Sequence, residues 1–406
     1  MSHAWKTGRV KDLIRSLDAG VSVNGEDRIP GDDEPAVLKV SAVTYGVFDP
    51  AASKPILKRE LKRAKCNPKA GQIIISRSNT PELVGACVFI DNDYPNRYLP
   101  DKLWQTVPKE GFKFEMKWLA YFLASPWVRY RLSNLATGTS DTMKNITKDE
   151  LLTLPVSIPP IDDQRAIASL FSTWDLAIKI TLQLITTKER LKKSFMQLLL
   201  TSNQRMKGFR HPWSEFHLGE LFKERSERAN ESLPLVSITR ENGIIFRNED
   251  RKDTSNEDKS KYLRIYPGDI GYNTMRMWQG VSALSSLGGI VSPAYTICTP
   301  KTGVDGEFMA YLFKLPRTIN LFYRHSQGLT SDTWNLKYKH FQKIKVTIPE
   351  IEEQKAIAKV LKVCDVEIDL LKKKVEAYRR QKRGLMQKLL TGVWKVKVAE
   401  KPDDEQ

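Results

Sequence analysis

Cysteine is scarce in this chain: four occur in 406 residues, Cys66, Cys87, Cys298 and Cys364, and no two form a CxxC pair. The five histidines are scattered. Together these exclude a disulfide framework or a clustered zinc site and point to reduced, mostly buried thiols. Long apolar runs are missing too. No stretch approaches the roughly 18 residues a membrane crossing requires, and the opening MSHAWKTGRVKDLIRS has no secretory core. A cytoplasmic protein is the expectation.

Signatures of chemistry are equally thin. There is no Walker A glycine-lysine loop and no glycine-rich cofactor loop after a strand. The aromatic-flanked proline tetrapeptide of amino-methylating enzymes is absent, since IPPI at residues 158–161 has the prolines without an acid, Asn or aromatic. GDDEP at residues 31–35 gathers carboxylates, which an acidic turn explains better than a metal site. A nuclease would need carboxylates and a lysine converging on a metal, and spacing does not show that. The expectation is a chain with no catalytic residue, metal or cofactor of its own.

Positive charge is plentiful. Lys and Arg number 65 against 48 Asp and Glu, a formal net charge of +17. A surplus of that size favours a polyanionic partner, because each cation placed near a phosphate releases condensed counterions.

The strongest feature is self-similarity. A shift of 190 positions lays IPPIDDQRAIASLFSTWDLAI, from Ile158, over IPEIEEQKAIAKVLKVCDVEI, from Ile348, without a gap. The same shift matches KKSFMQLLLT with KRGLMQKLLT, and pairs Pro159, Gln164, Asp175, Met196 and Gln197 with Pro349, Gln354, Asp365, Met386 and Gln387. Upstream it lays LAYFLASP over MAYLFKLP. Beyond that the register changes, yet Trp5 with Leu13 still resembles Trp213 with Leu221, and AGQIIISRSN resembles PGDIGYNTMR. The chain is a duplicated unit.

Each well-matched segment has the four-three apolar spacing of a coiled-coil helix. In the second copy the seam is Ile357, Leu361, Cys364, Ile368, Leu371, Val375, Tyr378, Leu385 and Leu389, interrupted at Lys382. In the first it is Ile167, Phe171, Trp174, Ile178, Ile185, Phe195 and Leu199, broken at Thr181, Lys188 and Lys192, with Leu182, Leu184 and Leu191 available as substitutes. Pro159 and Pro349 precede the helices, Asp162 and Glu352 charge their starts, and Gly392 offers a stop. Helices of about 38 residues would run about 57 Å. Alone they would be unstable, and each is the other's simplest partner, packed antiparallel.

Ahead of each helix lies a domain-sized block with short β-rich runs and one or two helix candidates. The expected class is α+β: two mixed α/β domains separated by two long antiparallel helices, with an internal pseudo-two-fold repeat. The divisions are residues 1–157, 158–205 (helix), 206–347, 348–395 (helix) and a tail, 396–406. The blocks differ most in their polar loops. In the first, candidate nucleic-acid contacts are Lys58, Arg59, Lys62 and Arg63, then Arg77, Ser78 and Asn79, then Thr139, Ser140, Lys144 and Asn145. In the second they are Arg240; Asn273, Thr274, Arg276, Trp278 and Gln279; and Gln327, Thr330, Ser331, Trp334, Asn335 and Lys337. Lys and Arg suit phosphates, Arg, Asn and Gln reach base edges bidentately, and Trp can stack.

A domain, an IPxIxxQxxIA helix ending MQxLLT, a second domain opening WxxxxLGEL at Trp213, and a second such helix: this order resembles the specificity subunit of type I restriction-modification enzymes across nearly the whole chain. The resemblance implies that each domain reads one half of a bipartite, asymmetric duplex site, while the helices set the spacer and dock two methyltransferase subunits, which motor-nuclease subunits join. S-adenosylmethionine, ATP and Mg would belong to those partners. Domain centres some 40–60 Å apart would correspond to roughly 12–18 base pairs. The first domain departs from the pattern, with TGRVKDL in place of FHLGEL and Gln72 where the second has Asp269. A stand-alone double-stranded DNA-binding protein or repressor shares the charge, duplication and lack of catalysis, and an RNA-binding protein shares the charge.

Overall fold

The computed structural model describes residues 5–44, 46–111, 113–140, 143–228, 233–240, 242–247, 259–330 and 333–396. Two 39-residue helices dominate it: α1, Ile161–Leu199, and α2, Ile351–Leu389. The chain divides into two compact units, and both boundaries fall inside these helices. One unit is residues 1–181 with 373–406; the other is residues 182–372. Each unit therefore contains one domain, a stretch of α1 and a stretch of α2.

Within each unit the two stretches run antiparallel. In the second, Lys188 pairs with Glu367 at 2.7 Å, Lys192 with Asp365 at 2.5 Å, and Glu189 with Lys372 at 3.0 Å. In the first, Lys382 pairs with Asp175 at 2.5 Å, and the rings of Trp174 and Tyr378 meet edge-on. Ile167, Phe171, Ile185 and Leu199 of α1 are buried, as are Ile357, Leu361, Ile368, Val375 and Leu389 of α2. Trp174, Ile178, Phe195, Leu371, Tyr378 and Leu385 are half-buried.

The break in the α1 seam is closed differently from the expectation. Leu182, Leu184 and Leu191 do not substitute; they face outward at about 40% exposure. Thr181 stays in the seam, 7% exposed, because its hydroxyl donates to the Ala177 carbonyl one turn back at 2.7 Å and leaves its methyl free to pack. Lys188 and Lys192 also stay, lying along the seam with their ammonium groups on carboxylates of α2.

The domains repeat as well. The first holds strands β1 (Ile14–Ala19), β2 (Ile73–Ser76), β3 (Cys87–Phe89) and β4 (Leu103–Pro108) in one antiparallel sheet, ordered β1-β4-β2-β3. The second holds β5 (Phe222–Glu224), β6 (Ile270–Asn273), β7 (Ser282–Leu284) and β8 (Tyr295–Pro300), ordered β5-β8-β6-β7. The two orders are the same, so the duplication extends past the gapless match. Each domain's opening strand also pairs antiparallel with the strand that leads into the long helix, Lys6–Arg9 with Pro155–Ile158 and Ser214–His217 with Lys345–Ile348.

Each domain core is completed by the helices. Ile167, Ala168 and Phe171 of α1 and Met386, Leu389 and Leu390 from the end of α2 join Leu13, Trp118 and Leu119 in the first core. Ile357, Ala358 and Leu361 of α2 and Leu199 and Leu200 from the end of α1 join Leu218, Phe308 and Phe313 in the second. Phe171 is fully buried, so Phe171→Ala should cost about 3–5 kcal/mol of stability. Leu182→Ala, outside the seam, should stay within about 0.5 kcal/mol. Denaturant melts of the two variants check both, and a large loss in the second would restore Leu182 to the seam.

Candidate nucleic-acid interface

In the first domain, two of the three candidate loops form one small sheet. Ser78–Asn79 pairs antiparallel with Met143–Asn145, placing Lys144 opposite Asn79 and Asn145 opposite Ser78, and Thr137–Ser140 extends it. Thr139 and Ser140 lie on that outer strand. Ser78 is buried within the sheet at 4% exposure. Asn79 is turned inward to local partners, its amide nitrogen donating to Ser76 Oγ at 3.2 Å and its oxygen accepting from the Thr80 N–H at 2.9 Å. Arg77 carries its guanidinium 5.8 Å from the centre of the Trp104 ring. The segment that follows β2 thus lies beside the strand Met143–Asn145, and the Ile146 N–H donates to the Arg77 carbonyl at 2.9 Å.

The third loop does not join them. Lys58–Arg63 forms a short 3-10 helix, with Lys58, Arg59 and Lys62 exposed. It anchors toward the segment before it, Arg63 reaching the Ser22 carbonyl at 3.5 Å and Glu60 at 2.7 Å. This is a separate cationic patch of the same domain. The acidic turn behaves as a turn: Glu34 accepts from the Gly31 N–H at 2.9 Å and from the Arg28 guanidinium at 2.5 and 2.8 Å. Those bonds hold its carboxyl near 2, well below the usual carboxylate value. Among the described residues no cluster of three or more metal-ligating side chains occurs.

In the second domain the equivalent loops converge on an aromatic cluster. Trp278 and Trp334 meet edge-on with centroids 5.1 Å apart, and Tyr323 meets Trp334 at 4.9 Å. The Leu336 N–H donates to the Thr274 carbonyl at 2.8 Å, and Gln327 bridges to Asn335. The Asn273 side chain accepts from the Met275 N–H, and Trp278 Nε1 donates to the Met275 carbonyl, so the loop is bonded to itself. Arg276, Gln327, Thr330 and Lys337 are exposed, and Gln279 is half-buried. Met275 and Leu329 are exposed beside them, at 48% and 101%. Ser331 lies outside the described residues. Arg240 is exposed at the turn after strand Val236–Ile238.

Sequence reasoning missed what holds this loop. Lys314 donates to the carbonyls of Gly280 and Ser282 at 2.8 and 2.7 Å, pinning the loop's far end. The available signal was a departure from the repeat, since Ala124 occupies the matching position of the first copy. Tyr323 carried the same signal, since Ser133 occupies its matching position. Asp269, the other departure, is a turn residue: it is 2% exposed, paired with Arg225 at 2.8 Å, and accepts from the Tyr266 N–H.

The profile of the type I restriction modification DNA specificity domain matches residues 3–190 and again 211–377. The chain belongs to this family. A putative type I restriction enzyme MjaX specificity subunit of Methanocaldococcus jannaschii is 23% identical over 97% of this chain and 94% of its own length. The MjaVIII specificity subunit of the same organism is 24% identical over 66% of this chain and 69% of its own. Among solved structures, an S subunit from M. genitalium superposes with a TM-score of 0.59 at 17% identity, covering 95% of this chain and 96% of that one. The chain is thus a type I specificity subunit, with the duplicated architecture of one. No helix among its described residues is long and apolar enough to cross a membrane.

Lys314 supplies a pH handle on the second specificity domain. Burial lowers its pKa to about 8, and the charges of Arg240 and Lys192 push the same way. Between there and the ordinary value near 10.5, the unfolded chain holds the extra proton, so this group makes stability rise with pH. The stability difference between wild type and Lys314→Met should therefore grow in favour of wild type from pH 7.5 to 9.5. Denaturant melts across that range check it, and parallel pH profiles would refute the assignment.

Proposed function

We propose that this specificity subunit reads a bipartite, asymmetric duplex DNA site, one half by each domain, and catalyses nothing itself. One observation carries the reading: the family profile matches twice, onto two units of the same sheet order whose polar loops differ. Equivalent frames with unequal loops suit two unequal half-sites, where an identical dimer would suit a palindrome. In the second domain, Arg276 is the base-reading candidate, exposed on a loop stiffened by Lys314 and the tryptophans, and Asn273, Thr274, Gln279, Gln327, Thr330, Asn335, Lys337 and Arg240 are its further candidates. In the first, Arg77, Lys144 and Asn145 play the reading role, with Thr139 and Ser140 on the neighbouring strand. Lys58, Arg59 and Lys62 face phosphates. The surplus of +17 supports an anionic partner.

The helices serve as spacer ruler and as docking rail. Leu176 and Ile180 of the first unit stand at 56% and 53% exposure, and their repeat mates Val366 and Leu370 of the second at 52% and 59%. An exposed apolar pair repeated at equivalent positions marks a protein-binding face. One such face per unit fits two methyltransferase subunits, with motor-nuclease subunits joining that core. S-adenosylmethionine, ATP and Mg then act in those partners.

Arg276→Ala should cut discrimination at one base position of one half-site by about 10–100-fold, the worth of a bidentate base contact, and leave the other half-site untouched. Arg59→Ala with Lys62→Ala should weaken binding uniformly across sequences and reduce the salt slope by about 2. Competition binding of the methyltransferase complex on duplexes with single-base changes, at several salt concentrations, separates the two behaviours. A uniform loss from Arg276→Ala would move that residue to the phosphate class. Equal loss at both half-sites would contradict the division of labour.

A further inference from the structure

One constellation of tyrosine, aspartate and lysine occurs in both units, and in the first the Tyr121 hydroxyl also lies 3.3 Å from Ser172 Oγ. In the first unit, Tyr121 of the domain donates its hydroxyl to Asp175 of α1 at 2.8 Å, and Lys382 of α2 donates to the other oxygen of the same carboxylate at 2.5 Å. The Lys382 ammonium also lies 5.0 Å from the centre of the Tyr121 ring. In the second unit, Tyr311 of the domain donates to Asp365 of α2 at 2.7 Å, Lys192 of α1 donates to its other oxygen at 2.5 Å, and that ammonium lies 5.2 Å from the Tyr311 ring centre. All three residue types are identical across the 190-residue shift, while the helices exchange roles. At each node three elements meet: the domain and both long helices.

A second duplicated anchor sits in the first turn of each long helix. Gln164 accepts from the Glu115 N–H at 2.8 Å and donates to the Pro159 carbonyl at 2.8 Å. Gln354 accepts from the Asp305 N–H at 2.9 Å and donates to the Pro349 carbonyl at 2.8 Å. In both copies the glutamine precedes the aspartate by 11 residues, about 16 Å along the helix. Apolar burial holds a domain on a helix without preferring a direction, whereas two directional anchors 16 Å apart fix its angle and register. The charges are partly exposed, with side-chain exposures of 17% for Lys382 and 47% for Asp175, so solvent screens them and their worth is geometric more than energetic.

We propose that the two Tyr–Asp–Lys nodes are the positioning elements that make the spacer between half-sites strict, by holding each domain at one angle on the helix pair. This rests on the reading of the helices as a ruler. With both nodes loosened, each domain keeps its base preference but tolerates half-sites displaced by a base pair.

The test uses the chain co-expressed with its methyltransferase, on plasmids carrying the wild-type motif with its spacer native, or shortened or lengthened by one and two base pairs. Tyr121→Phe with Tyr311→Phe removes only the two hydroxyls and leaves the packing rings in place. The ratio of methylation at the native spacer to that at spacers one base pair off should fall by about tenfold, the effect expected of lost hydrogen bonds to a charged group. The bases required in each half-site should not change. Lys192→Arg with Lys382→Arg, which keeps both cations, should retain the wild-type ratio, and the two Met substitutions should not. An unchanged ratio in the phenylalanine variant overturns the proposal, as does an equal fall in methylation at every spacer, which marks a merely structural contact. If the wild-type chain itself accepts all spacers equally, the ruler fails first, and that result is visible before any variant is made.

Discussion

The structure depends on a shared burial. A 39-residue helix with an apolar face has no stable existence alone, and a domain core that lacks one wall has none either. Here each supplies the other's need. Phe171 and Ile167 of α1 enter the first domain core together with Leu389 and Leu390 at the far end of α2, and Leu361 and Ile357 enter the second with Leu199 and Leu200. Each unit thus combines a domain with parts of both helices, the first from two separate stretches of chain and the second from one, and neither helix belongs to one domain. That is why the opening strand of each domain pairs with the strand leading into its helix, and why the repeat is most faithful where the helices start and end.

Polar contacts refine what burial builds. Two polar pairs identical between copies, Gln164 with Gln354 and Asp175 with Asp365, tie the helices to the domains. They accept backbone or tyrosine donors from the domain, at matching positions in the two units. The loops above them share no such constraint. Trp278, Trp334 and Lys314 stiffen one polar loop, while a three-stranded sheet organises its counterpart. Frame and polar loops are separated, so the loops can differ without disturbing the units that carry them.

Much of this was legible before the fold. Gapless repetition exposed the duplication, and the four-three spacing of Ile357, Leu361 and Ile368 exposed the helices, because long periodic apolar patterns survive any tertiary context. The α1 seam was harder to read. Thr181 looks polar in a sequence, but its hydroxyl is satisfied by its own helix, and Lys188 and Lys192 look like breaks until Glu367 and Asp365 stand opposite them. In the site, loop identity was readable and loop association was not. Nothing in the run Lys58–Arg63 says that it sits apart from Ser78–Asn79 while Met143–Asn145 joins it, since strand pairing between distant segments leaves no local trace. Lys314 carried one trace, its mismatch with Ala124.

The central claim is that two independent domains read two halves of one site. Its most direct test is long-read methylation mapping of DNA from cells that express this chain with its methyltransferase, before and after residues 206–347 are exchanged for the corresponding domain of another specificity subunit. The account predicts a split motif that appears only with this chain, and an exchange that alters one half while the other half and the spacer persist. Loss or change of both halves together would contradict it and point to a single composite reading surface.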